Sequence, residues 1–166
     1  MQSYLQRLPA VIESAIQGVS LDAMQKAPPG KWNSTQILEH LYLSYTATNS
    51  GIAHRLETGI AVTKVGTLKQ RVAVFVVTGL GYFPTGVDAP AVAVPRGVAP
   101  ELVRATIFAE IEKMASGLDD CERRFGSRTK ILDHPILGPL NVNQARKLHF
   151  LHGRHHARQI RERTKL

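Results

Sequence analysis

Cysteine is almost absent from this sequence. Cys121 stands alone, which excludes an internal disulfide framework and suits a reducing cytoplasm. Aromatic residues are scarce at 6%, and they form no platform on which nucleic-acid bases could stack. Long apolar runs are missing too. The longest, "VAVFVVTGLGYF" from Val72 to Phe83, is too short to span a bilayer and stops at Pro84. It reads instead as a buried or interface-forming segment, and an interface there would make a homodimer. The opening "MQSYLQRLPAVIESAI" has no basic leader ahead of an unbroken apolar core, so no signal peptide is expected.

Acidic residues are the minority charge. Lys and Arg number 21 against 13 Asp and Glu, giving a net charge of +8 and a pI near 10.0. Such a balance can serve nucleic-acid binding. Here the basic residues are spread along the chain without a nucleic-acid-binding signature, which favours a small, anionic substrate instead.

What is present is an ordinary globular composition, 43% hydrophobic and 20% charged, over a length that fits one domain, residues 1–166. No strand shows clean alternation and no repeat is visible. Leu5, Leu8, Ile12 and Ala15 fall at helical spacing and predict a first helix from about Gln2 to Gly18. After "APPGKWNS", a second helix is expected over Ser34 to Thr58, capped by Asn33 or Ser34. A short helix is expected around Thr67 to Leu80. The stretch that follows, with prolines at 84, 90, 95 and 100, predicts an extended, wrapping connection. Pro100 suits the first position of the next helix. There Ile107, Ile111, Met114, Leu118, Cys121 and Phe125 form one apolar stripe ending at Gly126. The turn "DHPILGPLNVN" leads to the last helix. The fold class is therefore all-α: a four-helix bundle with a long irregular connection between the second and third main helices.

Four of the seven histidines lie within eight residues of the last helix, in "LHFLHGRHHARQ". At about 100° per residue, Arg146, Lys147, Arg154, Arg158 and Arg161 define a wet face. His152 and His156 sit near the middle of the opposite face, His149 at its border and His155 toward the edge. A pair at i and i+4 can share one metal ion, but a third ligand must come from elsewhere. The second helix offers His40, on the flank of its buried face beside Ser44, Ala47 and Gly51, whose small side chains leave room for an ion. Glu39, Thr46 and Glu57 project away from that face, and His54 lies near the exposed border. A hydrogen-bonded core histidine is the plainer alternative for His40. His134 reads as a turn residue, Trp32 as a packing anchor and Cys121 as a buried small hydrophobe.

These residues resemble a known family. Trp32 stands eight positions ahead of His40 in "WNSTQILEH"; "HGRHHARQ" carries the histidine pair followed closely by glutamine; "HPILGPLNVNQ" leads into it. Together, in this order, they are similar to the signature of the DinB-like superfamily of four-helix-bundle proteins. The resemblance implies that His40, His152 and His156 correspond to that superfamily's metal-binding triad. Gln36 departs from the pattern, in which glutamate is frequent, and residues 82–100 match no part of it. Three imidazoles leave an open coordination position, as in catalytic sites, for a divalent ion such as Zn, Ni, Fe, Mn or Co. Characterised relatives include enzymes that use a low-molecular-weight thiol, so the resemblance implies a metal-dependent transferase or hydrolase, with a non-catalytic metal-binding bundle as the alternative.

Overall fold

The computed structural model of the chain describes residues 3–83 and 88–165. It is mostly helical, at 67%, and four long helices form a bundle: α1 (Tyr4–Ile16), α3 (Ser34–Thr58), α5 (Pro100–Phe125) and α6 (Val142–Arg163). Helix α3 packs chiefly on α5 and α1 on α6, with α3 and α6 also in contact. Short α2 (Leu21–Gln25) and α4 (Leu68–Val74) lie in the connections. Gln2 and Pro84, expected to open the first helix and to end the apolar run, lie outside the described residues.

Local chemistry accounts for the helix ends. Asn33 and Asn141 each accept a hydrogen bond from the backbone N–H three residues on, and Gln36 and Gln144 reach back to the capping residue's own N–H. These reciprocal pairs satisfy two of the otherwise unpaired amides of α3 and α6. Gln36 therefore has a structural task that needs no carboxylate. At its other end α3 stops on Gly59, in the left-handed conformation at φ 69°, where a side chain would be strained.

The apolar stripes meet in one core containing Leu5, Leu8, Ile12, Ile37, Leu41, Ile107, Ile111, Met114, Leu118, Cys121, Leu148 and Ile160. Arg146, expected on the wet face of α6, instead lies half-buried against α5, where it pairs with Asp119 and with Glu122 at 2.7 Å.

Two further features depart from expectation, and the apolar run proves only partly buried. The turn before α6 is a two-stranded antiparallel hairpin, β1 (Lys130–His134) and β2 (Gly138–Asn141). Ile131, Leu132 and Leu140 are buried in it, so these short strands carry consecutive apolar residues and show no alternation. The apolar run beyond α4 continues into a π-helical turn, Phe75–Gly79. Val74 and Val77 are buried there, whereas Val72, Phe75 and Leu80 are more than half exposed. Glu39 does not face solvent. It is 3% exposed, because the irregular connection crosses that side of α3 and supplies the backbone N–H groups of Arg96, Gly97 and Val98 to its carboxylate.

Among the described residues, no helix is long and apolar enough to cross a membrane.

Candidate metal centre

Helices α3 and α6, the hairpin and the irregular connection enclose a cavity of about 840 Å³, lined by His40, His134, His149, His152, His155 and His156. Ser44, Ala47 and Gly51 form part of the α3 wall, so the small residues flanking His40 do leave space. His54, the remaining histidine, is exposed on α3.

His40, His152 and His156 come together. The Nε2 atoms of His40 and His152 are 3.1 Å apart, and those of His152 and His156 are 3.0 Å apart. One ligand atom from each of the three residues lies within 4.8 Å of the others. Two nitrogens bound tetrahedrally at the usual zinc–imidazole length would be about 3.3 Å apart, close to the two separations that involve His152.

The outer hydrogen bonds fix which nitrogens face inward. His40 Nδ1–H donates to the carbonyl oxygen of Ala93 at 2.8 Å, in a short 3₁₀ turn of the connection. His156 Nδ1–H donates to Gln159 Oε1 at 2.7 Å. The same amide directs its NH₂ to His155 Nε2 at 3.2 Å, which agrees with this orientation of the Gln159 side chain. A neutral imidazole carries one proton. With both Nδ1 atoms protonated, His40 and His156 each turn an Nε2 lone pair toward His152 Nε2. A single Nε2–H on His152 could satisfy only one of them. A divalent cation would satisfy all three at once, and a carbonyl or amide partner behind a ligating imidazole orients it for that purpose.

Electrostatics keeps the rings neutral. Burial lowers the pKa of His40, against the opposing effect of its bond to Ala93. His152 is held well below the ordinary histidine range by burial first, then by His156 and His40. His156 falls to about 3, again mainly through burial. Neutral imidazole is the metal-binding form.

The surrounding residues shape the site. Phe83 stacks on His152 and His155, with ring centroids 5.9 and 5.5 Å apart. Trp32 packs against the core, as its position before α3 predicts, and also lines the cavity with its ring 5.4 Å from that of His40. His134 holds the hairpin turn, as its position predicts, and also lines the cavity. Its Nδ1 accepts the backbone N–H groups of Ile136 and Leu137 at 3.2 and 3.1 Å, leaving the proton on Nε2. Burial lowers its pKa to about 4. His149, expected at the border, is fully enclosed. It shares a 3.1 Å hydrogen bond with Thr48 through Nε2, while its Nδ1 has no partner among the described residues. Cys121 is buried within the α5 stripe, away from this cavity's lining.

Ala93 left no signal in the sequence, and Phe83 marked only the end of the apolar run; Gln159 is the glutamine that closely follows the histidine pair in "HGRHHARQ". No curated protein and no solved structure matches this chain. A family model does: the one described as a protein of unknown function (DUF1569) matches residues 5–163, and the chain belongs to that family.

Proposed function

We propose that this chain is a DinB-like metalloprotein that holds one divalent cation through the Nε2 atoms of His40, His152 and His156 and acts as a metal-dependent enzyme on a small substrate, with a low-molecular-weight thiol as co-substrate. The observation that carries this reading is the convergence of three neutral imidazoles, two of them with Nδ1 protons turned outward by Ala93 and Gln159. The spacing of Trp32, His40, His152 and His156 in the sequence supports the DinB-like assignment.

Such a cation would lower the pKa of a coordinated thiol or water and present the deprotonated form at neutral pH. The protein's own groups do the rest. Three imidazole ligands leave at least one coordination position open, and the cavity beside them has room for a substrate. Phe83 and Trp32 pack beside the rings, and His134, whose proton is on Nε2, would be a donor on the cavity wall for an oxygen of the substrate.

Elemental analysis of protein purified without a histidine tag tests the reading. About one equivalent of metal is expected. Alanine at His40, His152 or His156 should each lower it strongly, while His155→Ala should retain it. No metal above background, even after incubation with excess zinc, would refute the site.

A further inference from the structure

Arg163, the last residue of α6, lines the same cavity as the three histidines. A guanidinium is a planar fork of five N–H donors that remains charged. A cation in the last turn of a helix suits the helix dipole, which explains its charge but not its hydrogen bonding. Nη1 of Arg163 is buried and has no hydrogen-bond partner among the described residues. It is the only arginine nitrogen there in that condition. The neighbouring Glu162 hydrogen-bonds Arg158 at 2.8 Å and makes no hydrogen bond to this nitrogen, although its charge acts on Arg163. Burial lowers the Arg163 pKa against the opposing charge of Glu162.

The side chain as a whole is half-buried, so one arm of the charged fork is shut off from solvent without an acceptor, and such an arm calls for an explanation. Apart from Glu162, the cavity lining offsets it little. Three neutral imidazoles bring no negative charge, and Lys31 lines the same cavity. Of the two acidic residues on its wall, Asp133 pairs with Lys64 at 3.1 Å and Asp88 is exposed.

We propose that Arg163 anchors a carboxylate of a small anionic substrate whose second functional group faces His40, His152 and His156. The role of that second group rests on the metal reading above; the carboxylate anchor does not. A planar guanidinium matches a carboxylate in two parallel hydrogen bonds. The negative end of α6 disfavours a doubly charged phosphate at the same place.

The test uses an isosteric pair, 3-mercaptopropionate and 3-mercaptopropanamide. Binding to cobalt-loaded protein is read from the thiolate-to-cobalt charge-transfer band. Binding to metal-free protein is read by calorimetry and by the fluorescence of Trp32, the sole tryptophan. In both forms the wild type should bind the acid at least ~10-fold more tightly than the amide, as a charge-assisted pair predicts. Arg163→Gln should bring the two within ~2-fold of each other with cobalt content unchanged, and Arg163→Lys, which keeps the charge but loses the fork, should fall between. Equal binding of acid and amide by the wild type would overturn the anchor, as would a preference that survives in Arg163→Gln. If the protein retains no metal but the metal-free form shows a preference that Arg163→Gln removes, the anchor stands and the metal reading falls. If cobalt binds but neither form prefers the acid, the metal reading stands and the anchor falls.

Discussion

Lowering the pH from 7 to 5 should destabilise the metal-free protein by at least about 4 kcal/mol, the contribution of two histidines outside the triad. His149 is enclosed, with one ring nitrogen unpartnered, and burial followed by the proximity of His134 lowers its pKa to about 3. His134, with Nδ1 committed to two backbone donors, falls to about 4. In the unfolded chain each titrates near the ordinary value of about 6.5. Below that pH the unfolded state takes up protons that the folded state refuses, so these contributions are complete above about 6.5 and are lost as pH falls toward 4 and 3. The slope is about 1.4 kcal/mol per pH unit for each group, or about 2 kcal/mol each between pH 7 and 5. His152 and His156 shift in the same direction and steepen the loss. Urea titrations in the presence of a chelator, at pH 7, 6 and 5, measure it. His149→Gln should reduce the loss by about 2 kcal/mol. Stability that stays flat over this range, or a His149→Gln variant with the wild-type slope, would refute the reasoning.

Three substitutions extend the expectations. Cys121→Ser places a hydroxyl among the buried residues of the α5 stripe; urea denaturation should show a loss of about 1–3 kcal/mol, while metal content stays unchanged. Gly153→Ala adds a methyl group that would sit 2.8 Å from Tyr45 Oη and closer still to Leu8; thermal melts should report overpacking of about 1–3 kcal/mol, partly relieved by adding Leu8→Ala. Glu39→Gln leaves the N–H groups of Arg96, Gly97 and Val98 with a weaker acceptor; hydrogen exchange at these amides should accelerate and metal affinity should fall, and unchanged exchange would count against the clamp.

What was legible in the sequence is what depends on near neighbours. Asn33, Pro100 and Gly126 mark helix ends by local rules, and the start of α3 and both limits of α5 fall where those residues place them. The pairing of His152 with His156 is likewise local, since four residues bring side chains to one face of a helix. His40 was legible through the projection of α3 and through its distance from Trp32. The hairpin was not. Its register couples Leu132 with Leu140 and His134 with Gly138, and strands this short reveal themselves by pairing and not by period. The closing of His149 inside the bundle was missed for a related reason: its neighbours Thr48 and Tyr45 come from α3, about a hundred residues earlier.

Glu39 shows why a helical projection alone misreads the surroundings of the site. A projection divides one helix into an apolar side and a polar side, and on that division a glutamate belongs in water. The division holds only where nothing but helices covers the helix. Residues 88–99 cross α3 as irregular chain, and such chain brings unpaired backbone groups with it. On α3, two consecutive residues take them up: the Glu39 carboxylate accepts from the N–H groups of residues 96–98, and His40 Nδ1–H donates to the carbonyl of Ala93. One residue thus holds the connection by its donors and the next by an acceptor. Pro90 and Pro95, on either side of Ala93, restrict the backbone of the segment and remove amides that would otherwise need partners. The connection without periodicity is therefore what orients the imidazole of His40. A polar residue next to a candidate ligand on a helix is better read by asking which backbone groups lie within its reach than by the face to which its position assigns it.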